Sequence, residues 1–201
     1  MIELNQINKH LNSEVLLLQT FPLQGRTHEE RRLFLREQII TCFKDSPQWA
    51  VPENELSTLK DLTQPPTLSS YNLSLSHSGD YGGFIVTEKS VQCGFDMESK
   101  ARIHKDLIAR ISSPEEMEEF GEEYRFIWAF KESCFKALNK NIHLKLVVEL
   151  QFSKFQLFPD EICISPDIRV NGECIQGVTS IGFEDDRFIY GISCRNISTL
   201  A

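Results

Sequence analysis

The sequence predicts an α+β protein in which two long helices are each followed by a group of short, mainly antiparallel strands. Three observations carry this expectation. A capped amphipathic helix opens near Thr27, three strand-like runs separated by turn residues fill 73–98, and a second capped helix near Ser113 gives way to strands after Leu146. The repeated order resembles a duplicated α+β unit, with no periodic repeat strong enough to establish duplication.

Taken in order, Thr27 and Glu30 fit a capping box, in which side chain and backbone satisfy each other's free donors. Leu33, Phe34, Ile40 and Phe43 give the helix an apolar side, and Ser46-Pro47 ends it because proline excludes helical geometry from the residue before it. Residues 47–70 hold four prolines and read as an irregular connection. In the next stretch Leu73 and Leu75 alternate with Ser74 and Ser76, Phe84-Ile85-Val86 is a short apolar run, and residues 91–98 alternate cleanly. Gly79-Asp80, Gly82-Gly83 and Glu88-Lys89-Ser90 supply turn residues.

A basic amphipathic segment follows at about 99–111. Ser113-Pro114-Glu115-Glu116 then combines an N-cap, a proline at the first helical position and another capping box. Phe120, Tyr124, Ile127, Trp128, Phe135 and Leu138 continue at helical spacing, with Gly121 as a kink. Strand patterns return at 147–150, 155–158, 162–164, around Ile181 and at 188–192.

The net charge of −8 argues against nucleic acid as the main partner. Basic residues are nevertheless grouped: Arg26, Arg31, Arg32 and Arg36 early, then Lys100, Arg102, Lys105 and Arg110 ahead of an acidic run at 115–123. Local basic stripes on an acidic chain suit a phosphorylated small molecule or an acidic protein surface. Six cysteines form no Cys-x-x-Cys pair, so zinc ribbons and redox motifs find no support, and Cys93 and Cys134 read as buried thiols. No apolar run reaches the roughly 20 residues that cross a bilayer, and Val15-Leu16-Leu17-Leu18 is too short for a signal-peptide core. The expectation is a cytoplasmic protein with no membrane partner.

Three short constellations carry chemistry. In Val91-Gln92-Cys93-Gly94-Phe95-Asp96-Met97-Glu98, alternation places Asp96 and Glu98 on one face with Gly94 and the apolar residues on the other. Two carboxylates that close repel each other unless a cation lies between them, and a hard divalent ion such as magnesium answers that need. The competing reading is a solvated strand edge. In Trp128-Ala129-Phe130-Lys131-Glu132-Ser133-Cys134-Phe135-Lys136, Glu132 and Lys136 share a helix face, which by itself is an ordinary ion-pair spacing. In Ser76-His77 a hydroxyl and an imidazole end a strand, suited to phosphate oxygens but not to a hydrolase nucleophile, since no Gly-x-Ser-x-Gly elbow is present.

Together and in this order, Ser76-His77, Gly94-Phe95-Asp96-Met97-Glu98 and Trp128-Ala129-Phe130-Lys131-Glu132-Ser133-Cys134-Phe135-Lys136 resemble the 4′-phosphopantetheinyl transferases of the larger, single-chain type. The matches span 73–138, about a third of the chain. The resemblance implies two similar halves related by pseudo-twofold symmetry, 1–93 and 94–201, with coenzyme A in the cleft between them. It implies magnesium held by Asp96, Glu98 and Glu132, phosphate contacts from Lys136 and His77 with Ser76 beside them, and Lys131 on the pantetheine or phosphate side. Arg32 falls where the family places a basic contact to the nucleotide, and Glu132 where it places a general base. The implied reaction transfers phosphopantetheine to a serine of an acidic apo carrier protein and releases 3′,5′-adenosine bisphosphate, in a chain acting as a monomer. Lys100, Arg102, Lys105 and Arg110 are the expected docking surface, with a solvated helix face as the equal alternative. Departures from the family pattern are Ala129, the 35-residue interval from Asp96 to Lys131, and a missing Gly-Lys-Pro-like segment for which Lys60 and Pro65-Pro66 are a loose substitute. The rivals are another magnesium-dependent phosphohydrolase and a coenzyme A or carrier-binding module without turnover.

Overall fold

The structure is a computed structural model describing residues 3–11, 13–25, 27–46, 48–138, 142, 144–159, 162–165 and 167–197. Arg26 of the basic cluster and Pro47, the expected helix stop, lie outside these residues. Helix α1 (Leu4–His10) leads into strand β1 (Val15–Pro22), two elements the sequence pattern does not announce. The run Val15-Leu16-Leu17-Leu18 carries no period-two alternation, and the strand's register shifts between Val15 and Leu17.

Helix α2 (His28–Asp45) begins as expected, with Glu30 N donating to Thr27 Oγ1 at 3.1 Å and Thr27 N donating to Glu30 Oε2 at 2.9 Å. Its core side is Leu35, Ile39, Ile40 and Phe43, spaced three and four apart; the expected Leu33 is 36% exposed because it falls outside that stripe. The proline-rich connection contains one helix, α3 (Glu53–Thr58), whose Leu56 is buried. Strands β2 (Tyr71–Ser78) and β3 (Tyr81–Glu88) follow as expected. They form an antiparallel sheet ordered β1-β3-β2, and α2 packs on it through Leu73, Phe84 and Val86.

Strand β4 (Val91–Ser99) pairs residue for residue with the last strand, β11 (Phe188–Asn196), so the expected boundary at 93/94 falls inside a continuous strand. The basic segment is not one helix. A 3-10 turn (Lys100–Arg102) is followed by α4 (Lys105–Ala109), with Ile103 and Ile108 buried. Helix α5 (Pro114–Phe120) has the expected Ser113 cap, and Gly121 at φ 53° ends it instead of bending it. A further 3-10 turn leads to α6 (Arg125–Leu138). The remaining strands are β5 (Leu150–Ser153), β6 (Gln156–Leu157), β7 (Cys163–Ser165), β8 (Asp167–Val170), β9 (Glu173–Cys174) and β10 (Val178–Glu184). They build two more antiparallel sheets, β4-β11-β10-β7-β6 and β5-β8-β9. The chain is thus mixed α+β, with six α-helices among the described residues.

Helix α6 lies unusually close to its sheet because the contact is made by small residues. A Cβ on Gly94 would stand 1.8 Å from Ser133 O, and one on Gly191 would stand 2.2 Å from Ala129 O. Only a residue without a side chain fits at either place. Phe126 and Phe130 pack over Gly182 of β10 in the same way. This approach brings the Glu132–Lys136 edge of the helix down to the level of β4.

Strands β2 and β4 belong to different sheets but run side by side in the same direction, joined by serine hydroxyls. Ser74 Oγ accepts from Phe95 N at 2.8 Å, Ser76 Oγ donates to Asp96 Oδ1 at 2.8 Å, and Ser78 Oγ accepts from Ser99 N at 3.1 Å. The alternation that reads as a half-buried strand therefore serves to stitch the two sheets together.

Candidate functional site

The seam between β2 and β4 and the edge of α6 meet at one point. Lys136 Nζ donates to Asp96 Oδ1 at 2.8 Å, to Phe95 O at 3.0 Å and to Ser76 Oγ at 3.2 Å. Three of the sequence-derived site residues, from three elements, are therefore in mutual contact. Lys136 turns to Asp96 on the neighbouring strand, and no ion pair with Glu132 on its own helix is found among the described residues.

Glu98 stands two residues further along the same face. Its Oε1 accepts from Ser78 Oγ, from Ser99 N at 2.8 Å and from Arg102 Nη1 at 3.3 Å. Burial lifts the Glu132 carboxyl above its ordinary range, and the charges of Asp96 and Glu98 add to the lift while Lys136 opposes it. The three acids thus feel one another's fields. Among the described residues, however, no group of three or more His, Cys, Asp or Glu side chains is gathered as a ready-made metal site. The donor set still fits a hard divalent cation: all three groups are carboxylates, and crowded negative charge is what such an ion relieves.

A cleft of about 600 Å³ opens beside this cluster, walled by Arg32 and Arg36 of α2, residues 62–66, β2, Cys93, Phe135 and Lys136. Arg32 Nη2 donates to Leu62 O at 3.0 Å, and Arg36 donates to Leu59 O and Gln64 O, each at 3.0 Å. Two guanidiniums one helical turn apart therefore hold the proline-rich loop as the cleft wall. Pro65 and Pro66 line it, whereas Lys60 turns to Glu37 at 3.6 Å. His77 Nε2 lies 3.3 Å from His28 Nδ1, and burial first, then His28, holds its pKa below the ordinary value. A larger cleft of about 840 Å³, between α1, β1 and the β10–β11 turn, is lined by none of the expected site residues.

Lys131 does not join the site. Its side chain is 1% exposed and points to the opposite side of α6, where Nζ donates to Glu116 Oε2 at 3.0 Å and to Leu150 O. The expected contact with pantetheine or phosphate is replaced by an internal tie between α5, α6 and β5. Adjacent helix positions point about 100° apart, which turns Lys131 toward Glu116 while Glu132 faces Asp96 and Glu98.

The basic surface is also divided. Lys100 pairs with Glu184 at 2.7 Å, Arg102 with Glu98, and Lys105 lies 5.9 Å from the Tyr124 ring centre, while Arg110 is exposed. Sequence reasoning did not single out Arg36, Ser74 or Ser78 as site residues. The signals were present: Arg36 follows Arg32 by four, and serines recur at 74, 76 and 78.

No protein-family model matches the chain, and no curated protein matches it in sequence. Among the described residues, no helix is long and apolar enough to cross a membrane.

Proposed function

We propose that this chain is a magnesium-dependent 4′-phosphopantetheinyl transferase, moving the phosphopantetheine arm of coenzyme A to a serine of an acidic apo carrier protein. The observation that carries the reading is the meeting of Ser76, Asp96 and Lys136 at the end of a cleft walled by arginines, with Glu98 and Glu132 within electrostatic reach. In this reading residues 1–93 and 94–201 form one pseudo-symmetric catalytic unit, cytoplasmic and monomeric.

Asp96, Glu98 and Glu132 would hold the magnesium ion, which supplies charge neutralisation to the diphosphate. The protein's own groups do the rest. Arg32 and Lys136 offer cationic donors to phosphate oxygens, and buried Arg36 adds charge to the wall while its donors hold the loop. His77, kept neutral, donates its ring N–H to a phosphate oxygen. The Glu132 carboxylate accepts the proton of the carrier serine as the serine oxygen bonds to the β-phosphorus. The bond from that phosphorus to the bridging oxygen breaks, and 3′,5′-adenosine bisphosphate leaves with the electron pair. Lys131 has no part in this scheme.

The test is incubation with coenzyme A, magnesium and an apo acyl carrier protein, followed by mass spectrometry of the carrier. A gain of one phosphopantetheine group is expected. Hydrolysed coenzyme A with an unmodified carrier would instead identify a phosphohydrolase, and bound but unaltered coenzyme A a binding module.

A further inference from the structure

Glu98 is the one proposed ligand that already carries an external positive partner. Its side chain is 15% exposed, yet the guanidinium paired with it belongs to Arg102, which is 66% exposed and sits on the basic surface next to the site. The pair spans positions i and i+4 across the junction of β4 and the 3-10 turn, outside any regular helix. Asp96, by contrast, is neutralised from within by Lys136. Glu132, the third carboxylate, feels the charges of both Asp96 and Glu98, so each of these two cations offsets part of the negative charge near it.

From this geometry we propose that Arg102 is a shared counter-ion. In the metal-free protein it neutralises Glu98; when a divalent cation takes Glu98, Arg102 is released toward solvent and becomes available to an acidic protein partner. The inference rests on the metal reading above and goes beyond it, because it links metal binding to partner docking through one side chain. Two cations compete for one carboxylate, and two anions, Glu98 and the partner, compete for one guanidinium. Filling the metal site therefore strengthens partner binding, and by thermodynamic reciprocity partner binding strengthens metal binding. Lys105 and Arg110 contribute to the same basic surface without a carboxylate of the site in contact with them. Among the described residues, Arg102 is the basic-surface cation paired with a proposed ligand.

The experiment uses the full chain and manganese(II) as a spectroscopic probe of the metal site, followed by the electron-paramagnetic-resonance signal of the free ion. Because the Arg102 end of the pair is largely solvent-exposed, Arg102→Gln is expected to tighten manganese binding only about threefold to fivefold. Arg169→Gln, the same charge change at an exposed position of β8 in a sheet that carries none of the proposed ligands, controls for net charge and should leave the affinity unchanged. In a second arm, fluorescence anisotropy of a labelled apo acyl carrier protein is read with and without manganese. Wild type is expected to bind the carrier more tightly with the ion, and Arg102→Gln is expected to lose that gain. Manganese binding that is equal in wild type and Arg102→Gln, or a carrier affinity indifferent to the ion in wild type, overturns the shared counter-ion. Absence of saturable manganese binding in wild type and in both variants overturns the metal reading itself.

Discussion

At the scale of single residues, the site is an arrangement of charges that the fold tolerates at a cost. Asp96 is buried and held by Ser76 and Lys136, and Glu132 lies between burial and two like charges. Asp96→Ala and Glu132→Ala are each expected to lower carrier modification by at least about 10²-fold, the scale of lost charge stabilisation or general-base catalysis, with circular dichroism unchanged. Wild-type turnover in either variant would remove the residue from the proposed chemistry. Glu132 also makes a stability prediction for the protein in a chelator. Its folded-state pKa lies above the ordinary 4.5, so ionising it opposes folding. Below the unfolded value both states are protonated and the penalty vanishes; it grows as pH rises and is complete above the folded pKa. Glu132→Gln should therefore raise Tm at pH 7 and leave it nearly unchanged near pH 4.

At the scale of elements, two devices set where α6 lies. The first is the small-residue contact at Gly94 and Gly191. Gly94→Ala places a methyl group inside the helix backbone, so α6 must retreat from β4, carrying Glu132 and Lys136 away from Asp96. Calorimetry is expected to show destabilisation of about 3 kcal/mol, with loss of carrier modification in the fraction that remains folded. The second device is the buried Lys131–Glu116 pair, whose Glu116 carboxylate also accepts from the Ser113 and Phe152 backbone amides. Lys131→Met leaves a carboxylate buried and uncompensated, which costs about 3–5 kcal/mol. Assayed at a temperature where that variant stays folded, its KM for coenzyme A should match wild type. A raised KM would return Lys131 to the substrate side.

At the scale of the whole molecule, a chain of net charge −8 must meet an acidic partner through a local exception to its own field. Of the four expected docking residues, Lys100 is tied to Glu184 and Arg102 to Glu98, which leaves Lys105 and Arg110 most available. Reversing both to Glu is expected to raise KM for the carrier about tenfold at low salt, with KM for coenzyme A unchanged and the effect shrinking as salt screens it. Equal changes for both substrates would place the docking surface elsewhere. The cysteines make no demand at this scale: burial pushes the Cys134 thiol up to about 12, and exposed Cys174 is the thiol expected to label first.

Sequence alone determined the parts whose cause is local. The capping boxes at Thr27 and Ser113, the alternation through β2 and β4, and the pairing of Asp96 with Glu98 on one face depend only on residues a few positions apart. Sequence patterns did not announce α1, α3, β1, β8 or β9: the two helices run only seven and six residues, β1 shifts register, and strands of two to four residues leave no period to read. Only the tertiary structure decided what each charge faces. Glu132 and Lys136 have the spacing of a helix ion pair, yet Lys136 crosses to Asp96 because two glycines let the helix settle onto the strand. Lys131, one position away from Glu132, is turned by the helical pitch into a different part of the protein. Spacing fixes which side chains share a face; packing between distant segments fixes what lies opposite that face, and charges respond to what lies opposite.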